Sequence, residues 1–254
     1  MRNRFEDLEN NRISFLDQRY YLVEAGATEK DSVWYPSCTT ILDLFPKGAQ
    51  FNEWLKMVGP QAKIIAERAA EKGSLVHNAA ERLIKGEEIV WDDKIFDMET
   101  WQGVLRFVEF FKRFTPKVIA SEVTIISHQY KYAGTLDIVC EMDGKRWLVD
   151  LKFGNAIYTT YWLQLAAYRK AWEETNPMFP IEEMGVLHLK AATRTEGKGN
   201  AIQGKSWQLA RPPKNLPYEK AFGLFKKVLD IYNFENPEAK PKNLVLPMTV
   251  SLKD

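Results

Sequence analysis

Residues 134–168 decide the fold, and they read GTLDIVCEMDGKRWLVDLKFGNAIYTTYWLQLAAY. The centre of this stretch is Asp143-Gly144, a residue pair that two-residue type I′ turns favour, and β-prone residues flank it on both sides. A hairpin closed by this turn places Asp137 directly opposite Asp150. The stretch therefore predicts two antiparallel strands that carry a pair of facing carboxylates.

The apolar pattern supports this register. One face of the predicted hairpin is apolar throughout, formed by the pairs Leu136 and Leu151, Ile138 and Val149, and Cys140 and Trp147. A slip of one residue would exchange the two faces, which this pattern opposes. Lys152 follows Asp150 by two residues, so its side chain is expected on the side of the carboxylates.

Two facing aspartates repel each other, so a sheet would not keep them together for stability alone. A divalent cation between them removes the repulsion, and Mg²⁺ typically binds one or two protein carboxylates together with waters and phosphate oxygens. An ammonium group beside such a site can orient or deprotonate a water, or stabilise developing negative charge. The residues thus predict metal-dependent chemistry at a phosphate. The alternative is a surface hairpin with two solvated carboxylates and a lysine.

The same residues form a longer motif. Gly134 and Asp137 give G-x-x-D, residues 149–152 give V-D-L-K, and Gln164 and Tyr168 give Q-x-x-x-Y on a helix. This combination resembles the PD-(D/E)XK nuclease superfamily, in its RecB/Cas4-like branch. The resemblance implies an α/β fold with a restriction-endonuclease-like core in the order α-β-β-β-α-β. Its central mixed sheet would be flanked by helices, with an N-terminal helical lobe covering the active site.

The resemblance also implies the site residues. The catalytic set that it implies is Asp137, Asp150, Lys152, His77, Gln164 and Tyr168. The implied ligands of a Mg²⁺ or Mn²⁺ ion are Asp137, Asp150, the Leu151 carbonyl and His77. Lys152 would position and activate the attacking water, and Gln164 and Tyr168 would hold a DNA phosphate or the water network around the metal.

His77 and Glu81 lie four residues apart on a predicted helix that begins at Gly73-Ser74. Taken alone, a single helical histidine is more often structural than functional. A G-x-x-x-H helix ahead of the G-x-x-D strand, however, is similar to the histidine motif of RecB-like nucleases. Glu81 is spaced to orient His77 or to reach the same cavity. Glu122 matches a strand glutamate of the superfamily, either as a metal ligand or as a supporting residue, and a surface carboxylate is an equally good interpretation.

The match extends towards the N-terminus. PSCTTILDLFP, a Trp-bearing helix and AAEKGSLVH resemble the family of the mitochondrial genome maintenance exonuclease and its bacterial and phage relatives, over about residues 35–170. This resemblance implies a DNA exonuclease acting at single-stranded ends or flaps in replication, repair or recombination, with a phage or bacterial recombination or replication protein as a further partner. The alternatives are a duplex-end exonuclease, a structure-specific endonuclease, a non-catalytic DNA-binding module, or RNA as the substrate.

Composition narrows the classes of function. The formal net charge is +1, so nucleic acid would have to be held by a local basic groove and a metal. The candidate DNA contacts are Lys190, Arg194, Lys198 and Lys205, in a predicted basic loop. The 2 cysteines are too few for a four-cysteine iron–sulfur cluster or a disulfide framework. No apolar run long enough for a membrane span is present. We expect an intracellular, cytoplasmic protein of bacterial or phage origin.

The pattern divides the chain into an N-terminal part of strands and helices at 1–115, a nuclease core at 116–235 and a tail at 236–254. Residues 1–18 are polar, and part of this stretch is expected to be disordered. The pattern also predicts a helix from Pro60 to about Lys72, separate from the helix that carries His77.

Overall fold

A mixed five-stranded sheet between two layers of helices forms the centre of the protein, and a smaller four-stranded sheet packs beside it. The structure is a computed structural model, and it describes residues 4–7, 12–15, 18–25, 32–194 and 202–241. The strands are β1 (Arg4–Asp7), β2 (Arg12–Phe15), β3 (Gln18–Glu24), β4 (Val33–Pro36), β5 (Lys117–Ser127), β6 (Tyr132–Met142), β7 (Lys145–Lys152), β8 (Glu183–Arg194) and β9 (Ile202–Ala210). The helices are α1 (Cys38–Leu42), α2 (Gly48–Val58), α3 (Ala62–Ile84), α4 (Met98–Phe114), α5 (Thr159–Thr175) and α6 (Tyr218–Glu235), with a short 3₁₀ helix (Gly59–Gln61) before α3.

The predicted hairpin is present as β6 and β7. Both turn residues have positive φ, 52° at Asp143 and 70° at Gly144, as a type I′ turn requires. The register is the predicted one from Met142 opposite Lys145 to Ile138 opposite Val149. The turn residues and the apolar alternation therefore determined this pairing correctly.

The central sheet has the order β5-β6-β7-β8-β9, and β7 and β8 are its parallel pair. Helix α5 connects these two strands, because parallel neighbours need a crossover that is longer than a tight turn. The order of elements from α4 to β8 is α-β-β-β-α-β, as predicted. The α/β fold is thus confirmed, and it is consistent with a restriction-endonuclease-like core.

Each face of the sheet is covered by its own apolar cluster. Val139 and Leu148 face the layer of α1, α5 and α6, while Ile138 and Val149 face the layer of α3 and α4. This separation follows from the alternation of side chains along a strand. The two layers bury both sheet faces.

One predicted position on these faces is wrong. Leu136 was expected on the face of Ile138, but it packs in the cluster of Val139 and Leu148. The regular alternation is therefore interrupted between Leu136 and Ile138, at Asp137. The interruption lies in the middle of the candidate site.

The chain crosses from one face of the sheet to the other between α1 and α3. Helix α1 is buried against α5 and α6, and α3 contributes Val76 and Ala80 to the opposite cluster. Residues 43–61 make the crossing, and α2 within them has no buried side chain. This segment is therefore supported mainly through its two ends.

The small sheet is a meander of the order β1-β2-β3-β4. It joins the core through β3, where the Tyr20 hydroxyl lies 3.1 Å from that of Tyr232 and the Tyr21 hydroxyl lies 2.9 Å from Oγ1 of Thr135. Strands β1 and β2 lie in the stretch 1–18, part of which was expected to be disordered. Strand β2 pairs with β3 and β1 pairs with β2, so backbone pairing accounts for strands there without an apolar alternation.

Two further expectations need correction. The predicted break at Gly73-Ser74 is absent, and α3 is one helix of 23 residues. A helical glycine costs only about 1 kcal/mol relative to alanine, which packing of the C-terminal half of α3 can offset. The predicted basic loop is shorter than expected, because Lys190 and Arg194 lie in β8 and Lys205 lies in β9. Lys198 lies outside the described residues.

Cys38 and Cys140 are both buried as free thiols, as expected for Cys140. Among the helices of the described ranges, none combines the length and the apolar character that a membrane crossing needs.

Gly134 allows α5 to pack close to β6. A Cβ atom at this position would overlap the ring of Tyr168, which is buried and receives a hydrogen bond from Gln164. A glycine in a strand lets another group approach the backbone closely. In the structure the group that approaches is the Tyr168 ring.

Replacement of Gly134 with alanine should lower the free energy of unfolding by about 1–3 kcal/mol, because a packed ring must move. The matched control is Gly223→Ala in α6, where nothing lies within 4 Å of the new methyl group. That variant should gain up to about 1 kcal/mol from helix propensity. Urea denaturation of both variants measures the difference, and equal effects would contradict the assigned role of Gly134.

Candidate active site

Asp150 and Lys152 lie at the C-terminal end of β7, on the face that packs against α5. The Asp150 side chain is only 2% exposed, and the Lys152 ammonium lies 2.7 Å from its Oδ2 atom and 2.9 Å from Oδ1. Gln164 Nε2 lies 3.4 Å from Oδ1. Asp150 is therefore a buried carboxylate held in place by a neighbouring cation and an amide.

Asp137 lies opposite, where the β6–β7 pairing ends. Its Oδ2 atom accepts a hydrogen bond of 2.5 Å from the backbone N–H of Leu151. The carboxylate thus takes a donor that a continued strand ladder would use. The register predicts Asp137 and Asp150 side by side, yet in the structure they have different sets of contacts.

Glu122 lies on β5, which pairs with β6 on the edge away from β7, and it faces Asp137 across that pair of strands. Ser121 pairs with Ile138 and Val123 pairs with Leu136, which places Glu122 opposite Asp137. Glu122 has φ 50°, a left-handed conformation that is uncommon for a residue with a long side chain. Strained backbone of this kind is found preferentially at functional sites. The distortion accompanies the interruption in β6 at Asp137.

His77 reaches the same place from α3. Its Nδ1 atom lies 3.7 Å from Asp137 Oδ2 and 3.9 Å from Glu122 Oε1. The Nε2 atom lies 2.9 Å from the Leu151 carbonyl oxygen, so the tautomer with a proton on Nε2 donates to that carbonyl. A ring held in this way presents the Nδ1 lone pair to the two carboxylates. Metal-binding histidines are commonly oriented by such a second hydrogen bond.

The donor atoms fit a divalent cation. One potential ligand atom from each of His77, Glu122 and Asp137 lies within 4.8 Å of the other two. Carboxylate oxygens suit Mg²⁺ and Mn²⁺, and an imidazole nitrogen suits Mn²⁺ and later transition metals. Asp150 lies outside this triad, but its Oδ2 atom is buried without a hydrogen bond, although the Lys152 ammonium is close enough for charge attraction. The residues therefore fit a hard divalent cation.

The charges at the site are strongly coupled. Burial, together with the negative charge of Asp137, raises the pKa of Asp150 to about 6 against the opposing effect of Lys152. Burial also raises the pKa of Asp137, although His77 and Lys152 oppose this shift. For Lys152, burial lowers the pKa, but Asp150 and Asp137 outweigh burial and the net direction is upward. The protein thus keeps an ammonium beside two carboxyl groups that are costly to ionise.

Gln164 and Tyr168 complete the α5 side. Both side chains are buried, and Gln164 Nε2 donates to the Tyr168 hydroxyl at 3.0 Å. The Q-x-x-x-Y motif therefore lies against the carboxylates, with the amide between the phenol and Asp150.

The remaining predicted residues have other contacts. Glu81 borders the cavity beside His77, but its Oε1 atom is 2.6 Å from the Lys85 ammonium on the same helix. Lys190 is bound to Glu99 at 2.7 Å, and Glu99 also binds Lys72 at 2.8 Å. Lys190 therefore belongs to an ion-pair network between β8 and α4, a contact that competes with a role in phosphate binding.

Sequence reasoning missed Tyr161. The Lys152 ammonium lies 4.9 Å from the centre of its ring, a cation–π contact. Tyr161 is three residues before Gln164 on α5, and that spacing places the two side chains on neighbouring parts of one helix face. The helix pattern could have identified it.

Similarity to known proteins is found among solved structures. No family model and no curated protein matches this chain. Among solved structures, the chain is similar to a crystal structure described as a "Putative exonuclease" from Eubacterium rectale, with 14% identity, a TM-score of 0.38, and coverage of 72% of this chain and 77% of that chain. A TM-score this low describes a partial likeness of the two backbones, and nothing about the reaction follows from it.

Proposed function

We propose that this chain is a metal-dependent DNA exonuclease of the RecB/Cas4-like branch of PD-(D/E)XK nucleases, acting at single-stranded ends or flaps. The observation that carries the proposal is the convergence of His77, Glu122 and Asp137 within 4.8 Å, beside the buried pair of Asp150 and Lys152. A hydrolytic site for phosphodiesters needs positive charge, acidic ligands and a positioned donor, and these residues supply all three.

Asp137, Asp150, Glu122 and His77 would hold Mg²⁺ or Mn²⁺. The Leu151 carbonyl, which the sequence resemblance implies as a ligand, has two lone pairs, so it could bind the ion while it still accepts a hydrogen bond from His77. When bound, the cation supplies Lewis-acid charge to the phosphate. Its positive charge would also offset the negative charges of Asp137 and Asp150, whose raised pKa values reflect the cost of burying them.

Lys152 is the cationic donor that contacts Asp150. Its raised pKa keeps the ammonium charged in the absence of a metal. From its position 2.7 Å from Asp150, it can donate to the attacking water or to a phosphate oxygen. The water oxygen forms the new bond to phosphorus and loses a proton to the solvent, while the bond from phosphorus to the leaving sugar oxygen breaks and that oxygen takes up a proton from the solvent. Lys152 thus orients the nucleophile and stabilises the negative charge that develops.

Gln164 and Tyr168 support this arrangement from α5. The Gln164 amide lies between Asp150 and the Tyr168 hydroxyl and fixes the position of both groups. The close packing of Tyr168 on Gly134 holds the helix against β6. Their proposed role is to hold the carboxylate and the phosphate in a constant geometry.

The proposed requirement for a free DNA end and the proposed role in replication, repair or recombination both rest on the sequence resemblance.

Linear single-stranded DNA with a labelled end should be degraded in Mg²⁺ or Mn²⁺, while covalently closed single-stranded circles of the same sequence remain intact, because a circle has no end to enter. Gel electrophoresis over a time course measures both substrates, with EDTA as the control. Cutting of circles would contradict the requirement for an end, and activity in EDTA would contradict the metal.

Lys152→Ala should lower kcat by about 10²–10³-fold, the usual effect of removing one donor that stabilises developing charge. Lys145→Ala is the matched control, since Lys145 lies on the same strand and pairs with Glu183 near the turn. The control should retain the wild-type rate. Circular dichroism shows whether both variants are folded. A folded Lys152→Ala protein with wild-type kcat would refute the role given to Lys152.

A further inference from the structure

A second aromatic group lies beside the site. Tyr158 is 55% exposed, and the centre of its ring is 5.5 Å from the centre of the Tyr161 ring at an interplanar angle of 84°. Tyr161 in turn lies under the Lys152 ammonium, 4.9 Å away. The three side chains therefore form a path that leads from the protein surface to the catalytic lysine.

The arrangement is anchored at the protein side and open at the solvent side. Tyr158 is the residue before the first residue of α5, and its carbonyl accepts a hydrogen bond of 3.1 Å from the N–H of Tyr161. Its side chain makes no capping hydrogen bond to the helix. The ring position is thus set by the start of the helix and by edge-to-face packing, while more than half of its surface is available to a ligand.

We infer that Tyr158, supported by Tyr161, is a stacking subsite for an unpaired nucleobase next to the phosphate that Lys152 contacts. An exposed aromatic ring beside a cationic group matches the two parts of a nucleotide, a flat base and an anionic phosphate. The inference rests on the proposed function and deepens it, because a base can stack on a protein ring only when it has left the duplex stack. The subsite therefore selects single-stranded over duplex DNA.

Equilibrium binding in EDTA tests the subsite without cleavage. Fluorescence anisotropy with a labelled 12-nucleotide strand should show about tenfold weaker binding by Tyr158→Ala and near wild-type binding by Tyr158→Trp. The control is Phe234→Ala, which removes an exposed ring on α6. This control should bind like the wild type.

A scan with abasic sites identifies the stacked base. One abasic position should weaken binding to the wild type by about tenfold and have no further effect on Tyr158→Ala, since both changes remove the same contact. Equal binding of the intact strand by Tyr158→Ala and wild type, or the same loss at every abasic position in both proteins, would overturn the inference.

The proposed function and the inference fail in different ways. If the abasic pattern is found but no metal supports cleavage, the nuclease proposal fails and the stacking subsite stands. If cleavage is normal while Tyr158→Ala binds single strands like the wild type, the subsite fails and the nuclease proposal stands. Absence of any binding of single strands by the wild type in EDTA would overturn the subsite, while the cleavage assay with Mg²⁺ or Mn²⁺ decides the nuclease proposal.

Discussion

The protein holds two carboxylates, Asp137 and Asp150, in a buried place where ionisation is unfavourable. Both lie at the end of a buried hairpin, and burial raises the pKa of each. A single lysine and a histidine offset part of this cost, and the chain brings a third acid, Glu122, to the same gap. A fold selected for stability alone would place apolar side chains here, because removing charges from water costs several kcal/mol for each ion, to order of magnitude. The arrangement makes sense if the partner of these groups is a cation that binds from solution.

Two local departures from regular β-structure create the gap. Glu122 is in the left-handed region, and the face alternation of β6 breaks at Asp137, directly across the ladder. The N–H of Leu151 turns to the Asp137 carboxylate, and its carbonyl is 2.9 Å from His77. Backbone that would otherwise complete a sheet is thus used to position acidic and imidazole groups. The helices on the two sides of the sheet each contribute side chains to the site. Helix α3 contributes His77, and α5 contributes Gln164 and Tyr168.

The sequence predicted the structural features that depend on residues close together in the chain. The Asp143-Gly144 turn and the register of the hairpin follow from turn preference and apolar periodicity, and both agree with the structure. The left-handed Glu122 and the displaced Leu136 could not be predicted, since periodicity assumes a regular strand. The contact of Lys190 with Glu99 could not be predicted either, because it joins residues 91 positions apart and depends on how β8 and α4 pack. The continuity of α3 across Gly73 depends on tertiary packing that outweighs a local preference.

The position of Mn²⁺ in crystals of the wild-type protein, located by anomalous scattering, shows whether one cation binds both carboxylates. We expect a Mn²⁺ peak bonded to carboxylate oxygens of both Asp137 and Asp150, at about 2.0–2.6 Å as for hard cations. Crystals at saturating Mn²⁺ with no peak there, and with Lys152 still paired to Asp150, would show that the two carboxylates do not share an ion.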